Sequence, residues 1–140
     1  MSKKIDLLRI SADGGSRGNP GPSAVGAVLS DDKGARVSEV SRFIGVATNN
    51  TAEYLAVIYA LHEAFFFNAS SVELDLDSQL VAKQLKGEYR VKDQNMRKFY
   101  DLAVDMFRFF DSVKINEVPR SRNKEADALV NRALDLNALV

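Results

Sequence analysis

ISADGGSRGNPGPSAVGAVLS, residues 10–30, is the stretch on which the fold reading turns. An apolar alternation runs up to one carboxylate, Asp13, and gives way to turn residues before a second alternation starts near Ser23. Five of the chain's eight glycines and two of its three prolines fall between Asp13 and Gly26. That density permits positive φ and close backbone approach to another group, while Pro20 and Pro22 stiffen the path. Two phosphate-binding readings fail here. A P-loop needs GxxxxGK followed by Ser or Thr, and a dinucleotide fingerprint needs GxGxxG opening a helix. This segment carries no such lysine and opens a strand.

Working outward, KIDLLRISAD (4–13) reads as a first strand, closed by Asp13. SAVGAVLS and ARVSEVSRFIG flank DDKG, a hairpin turn ending in glycine, so three antiparallel strands come first. TNNTAEYLAVIYALHEAFFFNAS follows, with Leu55, Ile58, Leu61, His62 and Phe65 at helical spacing and Thr or Asn available as a cap. SVELDLD (71–77) alternates as a strand and SQLVAKQLKG reads as a short helix stopped at Gly87. A longer helix spans about 94–110, with Phe99, Leu102, Ala103, Met106, Phe109 and Phe110 as its stripe. SVKINEVP is the last strand and NKEADALVNRALDLNALV the last helix. Strand–helix–strand crossovers in the later part imply parallel pairing there. The expectation is an α/β domain with a mixed sheet, helices on both faces, and no linker or repeat over residues 1–140.

A chain of 140 residues is sized for one domain, and 46% hydrophobic with 27% charged residues reads as globular. No apolar run approaches the ~20 residues of a membrane helix. The start lacks the features of a signal peptide, so a cytoplasmic protein without a membrane partner is expected. The absence of cysteine excludes disulfides, zinc–thiolate sites and thiol catalysis. The single histidine, His62, excludes a multi-histidine metal site. Zero net charge argues against a wholly basic coat but leaves room for a local patch.

The carboxylates carry the chemistry. In α/β sheets ligands bind beyond the carboxyl ends of parallel strands, and Asp13 and Asp77 close two strands that become neighbours if parallel. Glu53 falls near the start of the helix after TNN, and Asp127 near the start of the last helix. Four acids from four segments can meet at that edge. Empty, such a cluster repels itself; an oxygen-only ligand set suits a hard divalent cation. Acids capping helix and strand ends would look the same at this level.

The segments DGGSRGNPGPSAVGAVL, TNNTAEYLAVIYAL, LDLDSQLV and VPRSRNKEADALVNRAL resemble, in order, the signature segments of type 1 ribonuclease H. That resemblance implies a ribonuclease H-like fold and an endonuclease that cuts the RNA strand of an RNA–DNA hybrid. It implies two Mg2+ ions, with Mn2+ able to substitute, and products ending in 5′-phosphate and 3′-hydroxyl. The family's acidic ligands match Asp13, Glu53, Asp77 and Asp127. By analogy Asp13 bridges both ions, Asp127 helps hold the water-activating one, and Glu53 with Asp77 hold the one beside the leaving oxygen. Paired ions about 3.5–4 Å apart clamp both oxygens of an in-line displacement. Asn19 and Asn50 match substrate-contacting asparagines, although capping explains Asn49 or Asn50 equally well. Gly14 and Gly15 would let backbone reach the ribose 2′-hydroxyls that distinguish RNA. Thr48, Asn49 and Ser78 are further polar candidates.

The chain departs from the family pattern in two places. Many members carry a histidine in a loop before the last helix; here that loop is VPRSRN, and Arg120 or Arg122 is the candidate for phosphate contact. His62, nine residues after Glu53, sits about half a turn away from the acids. The basic protrusion of some members is reduced to Lys83–Lys98, where six basic residues face Glu88 and Asp93. Double-stranded RNA is a second substrate candidate. A DNA-acting nuclease of the same fold, a non-catalytic nucleic-acid binder and a plain structural domain are the alternatives. A monomer is expected, with one outward phenylalanine of FFF (65–67) as a candidate dimer contact.

Overall fold

The structure is a computed structural model describing residues 5–140. Lys4, first residue of the expected opening strand, lies outside them. The elements are β1 (Leu7–Ser16), β2 (Gly21–Ser30), β3 (Arg36–Ala47), α1 (Asn49–Phe65), β4 (Ser71–Leu76), α2 (Gln79–Leu85), α3 (Gln94–Met106), β5 (Ser112–Glu117) and α4 (Lys124–Ala138). Short 3-10 turns occupy Phe107–Phe109 and Arg120–Arg122. The strands form one sheet in the order β3-β2-β1-β4-β5, antiparallel among β1 to β3 and parallel from β1 through β4 to β5. This is the mixed five-stranded sheet expected.

Alternation divides the faces. Leu8, Ile10, Ala12, Val25, Ala27, Leu29 and Leu74 point into the core beneath α1. Ala24 faces the other way, onto Val130, Ala133 and Leu134 of α4. Helices therefore cover both faces.

The helix expected over 94–110 ends at Met106 and gives way to the 3-10 turn at Phe107–Phe109, and Leu102 and Phe109 of its expected stripe are exposed. Asp13 does not end β1. Parallel pairing with β4 stops at Ala12↔Leu76, but antiparallel pairing with β2 continues through Asp13↔Gly26 and Gly15↔Ala24 to Ser16↔Ser23. The glycine-rich loop is therefore largely strand. Its turn closes with Arg17 N–H donating to the Pro22 carbonyl at 2.8 Å. The low strand propensity of glycine hid a ladder that tertiary packing demands.

In α1 the buried hydrophobic residues are Ala52, Tyr54, Ala56, Val57, Ala60, Leu61 and Ala64, while His62 and Phe65 are exposed. A Cβ on Gly14 would lie 2.1 Å from the Ala52 carbonyl oxygen. At that approach alanines line the closest contact with β1; of the stripe chosen by bulk, Leu61 is buried, Leu55 and Ile58 are partly buried against the core, and only His62 and Phe65 point outward.

Beside this contact Tyr54, fully buried, donates its hydroxyl to Gln84 Oε1, and Gln84 Nε2 donates to the Arg90 carbonyl at 3.4 Å. Burial lifts the tyrosine pKa above its ordinary value, keeping it a donor. Tyr54→Phe strands a buried acceptor and is expected to cost about 1–3 kcal/mol, read as a lower urea midpoint at unchanged slope.

Candidate metal centre and cleft

Because β1 and β4 run parallel, their carboxyl ends reach the same edge of the sheet. Asp13 follows the last β1 residue paired with β4, and Asp77 follows the last residue of β4. Glu53 comes one turn into α1, whose start is fixed by Thr48, its hydroxyl accepting from Thr51 N–H at 3.2 Å. Carboxylate oxygens of Asp13, Glu53 and Asp77 all lie within 4.8 Å of one another. Asp127, in the first turn of α4, lines the same cleft of about 380 Å³ but stands outside that trio. Its Oδ2 accepts from Asn131 Nδ2 at 3.3 Å.

These acids are buried: Asp13 is 6% exposed, Glu53 9%, and the Asp77 side chain 7%. Burial, reinforced by shared hydrogen bonding with Glu53 and by the charges around it, pushes the Asp13 carboxyl far above the usual carboxylate range. Glu53 is also raised, chiefly by burial, with the Gly14 N–H it accepts at 3.2 Å among the restraining influences. Both shifts oppose full ionisation of the pair in the absence of a cation. Among the described residues Asp77 Oδ2 is buried with no hydrogen-bond donor, and Arg120 Nε stands 3.9 Å from it. A buried carboxylate oxygen left without a partner calls for one. Two further acids at ligand distance and no nitrogen or sulfur donor make a hard divalent cation the group that fits.

The other candidates divide. Gly14, Gly15, Asn49, Asn50, Ser78 and Arg120 line the cleft; Asn19, Thr48 and Arg122 do not. Asn19 Oδ1 accepts from Asn49 N–H at 3.1 Å and Asn49 Oδ1 accepts from Ser16 N–H at 2.9 Å, lacing the hairpin tip to the start of α1. Ser78 caps α2, its hydroxyl accepting from Val81 N–H at 3.3 Å. His62 stacks edge-on against Phe66 at 5.2 Å, and it does not line the cleft.

Sequence reasoning missed Arg17 and Asn131, both in the cleft wall. Arg17 pairs with Asp135 at 2.7 Å across an exposed surface. It missed Asn123 as well. The one available signal was an asparagine one turn before Asp127, at the position of a helix cap.

Known proteins supply the context. The family model described as "Reverse transcriptase-like" matches residues 11–133. Ribonuclease HI of Halobacterium salinarum is 50% identical over 123 residues, which cover 88% of this chain and 62% of that protein. The chain thus spans less than two thirds of that relative's length. The crystal structure of RNase H1 from the same archaeon shares 47% identity at a TM-score of 0.90, covering 92% of this chain and 98% of the other. LC11-RNase H1, solved in complex with RNA/DNA hybrid, shares 37% identity at a TM-score of 0.89 over 95% of this chain and 99% of the other. Sheet order, the edge where the acids gather and backbones that agree this closely lead to one conclusion: the chain belongs to the type 1 ribonuclease H family, in its short form without basic protrusion or loop histidine.

Proposed function

We propose that this chain is a metal-dependent endoribonuclease that hydrolyses the RNA strand of RNA–DNA hybrids. One observation carries the reading: Asp77, whose buried Oδ2 has no hydrogen-bond donor among the described residues, offers a carboxylate oxygen within 4.8 Å of those of Asp13 and Glu53. Asp13, Glu53 and Asp77 would hold one cation, and Asp13 with Asp127 a second; Mg2+ is the expected ion and Mn2+ a substitute. When bound, the ions supply charge stabilisation to the attacking and leaving oxygens of the phosphodiester.

The remaining work belongs to the chain's own groups. Asn50, Ser78 and the backbone at Gly15 border the cleft where a ribose would lie. The hybrid's wide minor groove brings 2′-hydroxyls to such groups. Arg17 and Arg120, at the cleft wall, are cations for flanking phosphates. Further along, Lys83 lies over the Tyr89 ring and Arg97 over Tyr100, each at 5.5 Å. These belong to the basic segment that would follow the DNA strand. Contacts of that kind release counterions, so hybrid affinity falls as salt rises. Products ending in 5′-phosphate and 3′-hydroxyl, monomeric action and a cytoplasmic setting complete the proposal. Among the described residues no helix is long and apolar enough to cross a membrane.

The test uses end-labelled hybrid, RNA duplex, DNA duplex and single-stranded RNA, each with Mg2+, Mn2+ or EDTA. Cleavage of hybrid RNA with either metal and none in EDTA is the expected result. Cutting of RNA duplex as well would widen the substrate class without changing the chemistry. Cleavage in EDTA, or attack on DNA duplex at the same rate, would overturn the proposal.

A further inference from the structure

Asn123 is only 1% exposed, among the most deeply buried side chains in the molecule, yet it is polar. Its Nδ2 donates to the Ala12 carbonyl at 2.9 Å across 111 residues of sequence. Among the described residues its Oδ1 is buried without a donor, and its side chain makes no capping bond although it stands at the N-cap of α4. Its backbone carbonyl accepts from Asp127 N–H at 3.1 Å. Ala12 immediately precedes Asp13 and is the last β1 residue paired with β4. One amide therefore ties the strand residue before Asp13 to the helix residue one turn before Asp127.

Beneath that tie small residues make the closest approach of α4 to the sheet, beside Val130 and Leu134. Gly26 faces the α4 backbone, where a Cβ would lie 2.4 Å from the Ala126 carbonyl, and Ala24 and Ala133 continue the contact. Small residues allow close approach but interlock little, so they resist sliding or rotation of the helix weakly. A directional bond with no competing water fixes both. A second tether, Ser41 Oγ donating to the Leu129 carbonyl at 2.7 Å, holds α4 to β3 and involves neither strand that carries an acid.

We propose that Asn123 is a positioning residue that holds Asp127 against Asp13, and so sets the affinity of the cation these two acids share. The inference rests on the ribonuclease reading above for the identity of that cation's role. The Asp13–Glu53–Asp77 cluster does not depend on this tie, so loss of the amide weakens one ion's hold and spares the other's.

The test compares Asn123→Ala with Ser41→Ala, both cutting a hydrogen bond that anchors α4. Manganese binding is measured by calorimetry on the full chain without nucleic acid, alongside melting temperature, and cleavage of hybrid is measured against Mg2+ concentration. Asn123→Ala is expected to weaken one phase of metal binding and raise the half-saturating Mg2+ by about 10- to 100-fold, with the KM for hybrid within about twofold. Ser41→Ala is expected to lower the melting temperature while leaving both metal phases in place. Equal changes in metal binding for the two variants, or none for Asn123→Ala, would overturn the inference. If the parent binds manganese in two phases but cuts nothing, the ribonuclease reading fails while the calorimetry still decides the role of Asn123.

Discussion

Asp13→Asn is expected to lower hybrid cleavage by about 10³-fold or more while raising the melting temperature of the metal-free protein. The two effects share a cause. Asp13 is buried among Glu53, Asp77 and Asp127, each of which opposes its ionisation. Its folded-state pKa lies above the unfolded value. Its carboxyl therefore contributes fully to stability below about pH 4 and loses that contribution as pH climbs toward about 10. Asparagine keeps the shape and a donor toward Glu53 but carries no charge at any pH. Removing a charge that burial, and secondarily its like-charged neighbours, disfavours is worth about 1–3 kcal/mol, or roughly 3–10 °C for a domain of this size. The gap between variant and parent widens from pH 5 to pH 9.

Divalent cations are expected to reverse the trend for the parent, because a cation would be held by ionised carboxyls and its binding would tighten as pH rises. Calorimetric melting in EDTA and in Mg2+ across that pH range checks all three statements. A metal-free variant that melts below the parent at pH 8, or one that still cleaves within tenfold of it, would sink the account.

How far the sequence went depends on which physical effect placed each residue. Asp77 was legible because a strand of clean alternation ends on it, and Thr48 because capping chemistry is local. Asp13 was legible as a charge at a strand end, though the strand runs on to Ser16. Parallel and antiparallel neighbours of β1 stop at different residues, and nothing local records that. The buried face of α1 was misread for a related reason. Spacing and size chose His62 and Phe65, which are exposed, and passed over Ala52, Ala56 and Ala60, where the close approach set by a glycine on another element favours small side chains. Asn123 stood at a legible helix-cap position, but its burial lay beyond reach. Whether a polar side chain is buried depends on what arrives from the far end of the chain, here a carbonyl 111 residues earlier. Arg17 likewise acquires its place in the cleft wall only when the hairpin tip folds back beside α4.

Gly14 and Gly15 look interchangeable as a dipeptide, and alanine is expected to give opposite outcomes at the two sites. A Cβ at Gly14 would meet Ala52 O at 2.1 Å, Ala52 C at 2.3 Å and Glu53 N at 2.7 Å. All three are backbone atoms, so no rotamer change relieves the clash. Helix α1 must retreat by roughly 1 Å or more to restore ordinary contact. That retreat opens the alanine face of the helix along its length. The cost is about 3–5 kcal/mol, above the common range for overpacking because the obstacle cannot rotate away. The same movement carries Glu53 away from the Gly14 N–H it accepts. A misplacement of that size at a reacting centre lowers turnover about 100-fold in the fraction that remains folded.

At Gly15 the added Cβ would meet only Val130 Cγ1, a side-chain atom 3.4 Å away, which is ordinary contact. Neither glycine needs positive φ, so backbone strain does not enter the comparison. Gly15→Ala should then stay within about 1 kcal/mol of the parent. Denaturant midpoints of the two variants, measured side by side, decide the matter: similar midpoints would mean that α1 does not rest on the β1 backbone as described. The glycines that first suggested an open loop would then need another explanation, since the close approach at Gly14 is what makes the second residue of that loop a glycine and brings Glu53 to Asp13.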